Sequence, residues 1–110
     1  MEQRVLAAGL LCLAAAMPAT AQDLKAKGEK LFVAQKCALC HSVAGKGNVK
    51  GPLDEVGTKD SPADIRAWIN DANAMTAKTG AARKPVMKQF ALEKDEVDAL
   101  VAYLTTLKKK

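Results

Sequence analysis

Two cysteines and the chain's one histidine fall within five residues, Cys37-Ala38-Leu39-Cys40-His41, and this cluster limits the fold more than any other feature. Thiols two residues apart, followed directly by an imidazole, suit few chemistries. A disulfide between them would close so small a loop that it would stabilise almost nothing. The third cysteine, Cys12, lies in a segment of a different kind. Arg4 precedes the apolar run Val5 to Ala16, followed by Pro18 and the small residues Ala19, Thr20 and Ala21, which is the order of a secretory leader cleaved near Ala21. The run has 12 residues, short of the about 20 that a membrane-spanning helix needs, so an uncleaved anchor is the weaker reading. Residues 1–21 therefore read as a signal peptide, Cys12 included, and 22–110 as one exported domain.

Removing 21 of 110 residues would leave 89, few for a self-sufficient core. The aromatic residues of that remainder are Phe32, Trp68, Phe90 and Tyr103. Small exported domains commonly add disulfides or a bound group to so thin a core, and something other than side chains is expected at its centre.

Three segments carry helical periodicity. Leu24, Gly28, Leu31, Phe32 and Gln35 recur at helical spacing behind Asp23, a suitable cap. Gly28 is the odd member, since glycine inside a helix costs about 1 kcal/mol against alanine, and close approach of another helix would account for it. The second segment opens with Ser61 as cap, Pro62 in the first turn and Asp64 behind it, and its buried stripe is Ile65, Trp68 and Ile69. The third runs from about Lys94 to Lys108, with Val97, Leu100, Val101, Leu104 and Leu107 on one face. Acids at its start and lysines at its end follow the helix dipole. No strand-like alternation of useful length occurs. Two stretches, about 44–60 and 72–92, read as long irregular loops, and such loops usually serve a site.

Cys-x-x-Cys-His is the spacing of covalent haem attachment, in which each thiol adds to one vinyl group of a porphyrin and the imidazole is carried to the iron. Two other readings use the same letters. A redox dithiol wants a strand before the motif and a βαβ setting, whereas here a helical segment precedes it. A structural zinc site needs four ligands, and the processed chain supplies Cys37, Cys40 and His41 as its only cysteine and histidine side chains. Haem c is the favoured cofactor.

Read with the segments around it, the chain resembles a small class I c-type cytochrome of the bacterial monohaem kind. The stretches GEKLF (28–32), CALCH (37–41), GPLDEVG (51–57), IRAWI (65–69), KPVMKQF (84–90) and DALVAYL (98–104) occur in that family's order. The resemblance implies an all-α fold of three main helices and long loops around one covalent haem. It implies that Gly28 and Phe32 cross the last helix near Leu100 and Tyr103, and that the Pro52 carbonyl receives the Nδ1 hydrogen of His41 and orients the ring. Two methionines remain in the processed chain, Met75 and Met87. Met87 is favoured as the sixth iron ligand because it lies in a non-helical segment after Pro85, where the family's ligand loop sits, although many relatives carry proline where this chain has Lys88. Met75 is the substitute, and an open site is the third reading.

With imidazole on one side of the iron and a thioether on the other, the implied function is periplasmic one-electron transfer by a carrier that is not an enzyme. An open sixth site would instead give a haem peroxidase or ligand-binding haem protein, and a chain without haem would leave a thiol oxidoreductase. Phe32, Leu53, Ile65, Trp68, Phe90, Leu100 and Leu104 are the pocket candidates, with ordinary core as the alternative for each, and the Trp68 indole could reach a haem propionate or simply pack. The net charge is +5, and Lys36, Lys46, Lys50, Lys84 and Lys88 flank the segments expected to frame the haem edge. This favours acidic-surfaced redox partners, a reductase on one side and an oxidase or reaction centre on the other, with a merely solvated basic surface as the alternative. A monomer without nucleic-acid binding or stable membrane insertion is expected.

Overall fold

Helix α1, Ala21–Ala34, starts one turn earlier than its apolar pattern suggests. Thr20 is the cap: its Oγ1 accepts from the Asp23 N–H at 3.1 Å, and the Asp23 carboxylate accepts from the Thr20 N–H at 3.2 Å. Asp23 is thus the reciprocal partner of the cap and not the cap itself. The computed structural model describes residues 20–110, so the signal-peptide reading falls outside the described residues except at Thr20 and Ala21.

The chain leaves α1 through Lys36, which adopts a left-handed conformation (φ 60°) and turns it into a single 3₁₀ turn, Cys37–Leu39. Two short strands follow, β1 (Ser42–Val43) and β2 (Lys46–Gly47), antiparallel with Ser42 opposite Gly47. Ala44 and Gly45 between them both have positive φ, the geometry of a tight hairpin turn. Ser42 also bridges in parallel to Pro52. Next come α2 (Val56–Lys59) and α3 (Pro62–Asn70), the latter capped as its sequence suggests, with Ser61 Oγ accepting from the Asp64 N–H at 3.1 Å. The stretch 72–92 is not wholly irregular. Its first part is a further helix, α4 (Ala72–Thr79), which ends on Gly80 at φ 68°.

Helix α5, Lys94–Leu104, stops short of Lys108. The hydroxyls of Thr105 and Thr106 bond back to the carbonyls of Val101 and Tyr103 at 2.8 and 2.6 Å, a local alternative to helix propagation. The tail then straps onto α2: the Leu107 carbonyl accepts from the Gly57 N–H at 2.7 Å, and Thr58 Oγ1 accepts from the Lys109 N–H at 2.8 Å.

Helices α1 and α5 form the main crossing. A Cβ at Gly28 would overlap the Ala99 carbonyl and lie 2.7 Å from Tyr103 Cβ, so only glycine allows this approach. One turn on, Phe32 meets Tyr103 edge-to-face, with centroids 6.0 Å apart and planes at 70°. The contact implied by the resemblance is therefore present, displaced from Leu100 to its neighbour Ala99. Phe32, Ile65, Ile69, Val97, Leu100, Val101, Tyr103 and Leu104 make one buried cluster from α1, α3 and α5. Five α-helices and two minimal strands among the described residues make the domain all-α.

Candidate haem site

Between the 3₁₀ turn, α3 and the segment after α4 lies a cleft of about 350 Å³, within the range of small-molecule and cofactor sites. Cys37, Cys40 and His41 line it from one segment, and Ile65, Trp68 and Ile69 from α3. Arg83 through Phe90 closes it, with Met87 on its lining. Met87 also borders a smaller adjoining hollow with Phe32, Leu92 and Leu100. Met75 is buried in α4 and does not line the cleft.

The other pocket candidates divide. Ile65, Trp68, Phe90 and Leu104 line the cleft, and Phe32 and Leu100 line the adjoining hollow. Leu53 lines neither and packs on the buried cluster instead. Of the five flanking lysines, Lys36 and Lys88 reach the cleft, whereas Lys46, Lys50 and Lys84 do not.

Both thiols are half-buried and unbridged. Burial pushes the Cys37 thiol up, against the opposing pull of a backbone hydrogen bond and of Lys88. His41 is also half-buried, and burial holds its imidazole below the ordinary value; the bond to Gly51 pulls it up, and the nearby Arg83 charge pushes it further down. The ring is therefore neutral near pH 7. Its Nδ1 lies 3.0 Å from the Gly51 carbonyl; a carbonyl only accepts, so Nδ1 carries the hydrogen and Nε2 keeps its lone pair for a metal.

The acceptor is thus Gly51 and not Pro52, and the bridge to Ser42 gives the reason. The Ser42 N–H donates to the Gly51 carbonyl and the Leu53 N–H to the Ser42 carbonyl. That pattern turns the Gly51 carbonyl toward the His41 segment and the carbonyl of Pro52 to the other side. Gly51 also has Arg83 against it: a Cβ there would lie 2.5 Å from Arg83 Nη1 and 2.9 Å from Cζ. Sequence reasoning missed Arg83 and Gly51. Only the glycine before Pro52 offered a signal.

This set of side chains fits an iron porphyrin: two thiols on the wall for thioethers, an imidazole with a free Nε2, a thioether sulfur and apolar sides. It fits bare metal poorly, for no group of three or more histidine, cysteine, aspartate or glutamate side chains converges among the described residues. A redox dithiol fits no better, since α1 precedes the motif where that chemistry wants a strand. Among the described residues no helix is long and apolar enough to cross a membrane.

Comparison with known proteins agrees with this geometry. The family model described as Cytochrome c matches residues 25–108. The chain is 31% identical over 84 residues to cytochrome c-551 of Ectopseudomonas mendocina, covering 76% of this chain and 100% of that protein. It is 27% identical over 96 residues to cytochrome c oxidase subunit 2 of Alkalihalophilus pseudofirmus, covering 79% of this chain but only 27% of the subunit. No solved structure gives a significant match. A family match spanning most of the chain, on a helical frame that gathers Cys37, Cys40, His41 and Met87 around one cleft, places this protein in the cytochrome c family.

Proposed function

We propose that this chain is an exported one-electron carrier that holds one haem c through thioethers at Cys37 and Cys40, with the iron between His41 and Met87. Family membership supports a haem-based carrier rather than an enzyme, and the relative matched end to end is itself named as a c-type cytochrome. The observation that carries the ligand assignment is that Met87 lines the same cleft as His41, whereas Met75 does not.

When bound, haem supplies the one-electron couple, and a histidine–methionine pair keeps its iron low-spin, closed to substrates and raised in potential. The residues of the chain hold and tune it. Gly51 fixes the His41 tautomer, so Nε2 is the free donor. Ile65, Ile69 and Phe90 give the cleft apolar walls, and the Lys88 ammonium sits 4.9 Å from the centre of the Phe90 ring. Lys36, Arg83 and Lys88 outnumber the one carboxylate on the lining, Asp60, and leave the mouth net positive, suited to an acidic partner surface, with exposed Leu39 and Val86 beside them.

The test is optical. Purified protein should keep its haem through acidic organic extraction, and its ferric form should show the weak red band of sulfur-to-iron charge transfer. Met87→Ala should abolish that band and lower the potential, while Met75→Ala leaves both nearly unchanged. Loss of the band in Met75→Ala alone would move the assignment to Met75. A high-spin wild-type spectrum would instead favour the open-site, peroxidase-like reading.

A further inference from the structure

Two residues beyond Met87, the Gln89 side chain joins the loop to two helices at once. Its Nε2 donates to the Asn70 carbonyl at 2.8 Å, and its Oε1 accepts from the Asn73 N–H at 3.1 Å. Asn70 is the last residue of α3 and Asn73 the second of α4, with only Asp71 between the helices. Such terminal groups have no partner within their own helix, and the Asp71 side chain does not cap α4. One primary amide therefore serves as cap to the end of α3 and the start of α4. Among the described residues, segment 82–92 makes no backbone–backbone hydrogen bond. Gln89 supplies its side-chain hydrogen bonds to the rest of the fold.

We propose that Gln89 is the latch of the Met87 loop: a positioning residue whose two bonds to the α3–α4 junction hold the methionine in place and set how often the sixth position opens. The proposal rests on Met87 being the sixth ligand. Phe90 anchors the same loop by its ring, which borders both the cleft and the adjoining hollow. Apolar anchoring is non-directional, so the amide is what fixes the register of the residues before it.

The experiment uses ferric haem-loaded protein and excess imidazole, with capture limited by departure of the native ligand. Gln89→Leu removes both bonds at similar volume, and loss of two neutral hydrogen bonds predicts capture roughly tenfold faster. The sulfur-to-iron band should also vanish at lower temperature. Ser61→Ala, which removes the cap at the far end of α3, controls for general loss of helix stability and should change capture less than about twofold. Capture by Gln89→Leu within twofold of wild type, or equal acceleration by Ser61→Ala, would overturn the latch. Should the leucine variant not fold, Gln89→Glu keeps an acceptor for Asn73 but loses the donor to Asn70; capture about threefold faster supports the latch, and an unchanged rate overturns it. A wild-type band that survives Met87→Ala would show the ligand assignment itself to be wrong, and the latch would fall with it.

Discussion

Arg83 shows how one side chain can act on the site without touching the metal. Its guanidinium occupies the space that any side chain at residue 51 would need, beside the carbonyl that orients His41. A cation there favours the ferrous over the ferric charge state. Arg83→Gln is therefore expected to lower the potential by about 30 to 60 mV, corresponding to a threefold to tenfold shift in the one-electron equilibrium, and Arg83→Lys to restore much of it. Potentiometric titration decides, and an unchanged potential in the glutamine variant would mean that solvent screens the charge. Cys37, Cys40 and His41 were legible in the sequence because their chemistry is written in five consecutive letters. Arg83 was not, because its partner Gly51 belongs to a distant segment and only the fold brings them together. The Gly51-for-Pro52 correction is of the same kind: which of two adjacent carbonyls faces His41 is decided by the Ser42 bridge.

Helix α3 was legible from its cap and apolar stripe and α5 from its stripe and charge order, whereas α4 was not. Its buried residues are only Ala72 and Met75, too few to make a stripe, and it follows α3 after one residue, so its signal merges with the previous helix. At this scale Asp98 is the pin between elements. Its carboxylate meets Lys94 Nζ at 2.9 Å within α5 and Arg66 Nη1 at 2.8 Å from α3. Lys94 first, then Arg66, holds the Asp98 carboxyl below its usual value. A carboxyl depressed on folding contributes stability that is complete above its unfolded value, near pH 4, and is lost as pH falls through the lower folded value. Asp98→Asn should thus melt below wild type at pH 7, with the gap narrowing as both are taken below about pH 4. A gap constant across that range in thermal melts would show that the ion pairs are not its source.

At the scale of the whole molecule, the class of fold was readable because family motifs occur in order from residue 28 to residue 104, while the gathering of Met87, Arg83 and Gln89 depended on α4 and the loop after it. The Gly28 crossing ties α1 and α5 together while the haem-binding segments lie between them. The thiols belong to the amino-terminal part and Met87 to the carboxy-terminal part, and 80–84 is an exposed connection between them. A single nick there should leave two fragments that elute together, joined without a covalent link by α1 against α5. The fragment that carries the cysteines would keep the porphyrin, and the other would return the methionine to it. Mixing the separated pieces should then restore the red sulfur–iron band in step with helix association. Gly28→Val in the first piece should prevent it, so that a colour change reports docking of two helices far apart along the polypeptide.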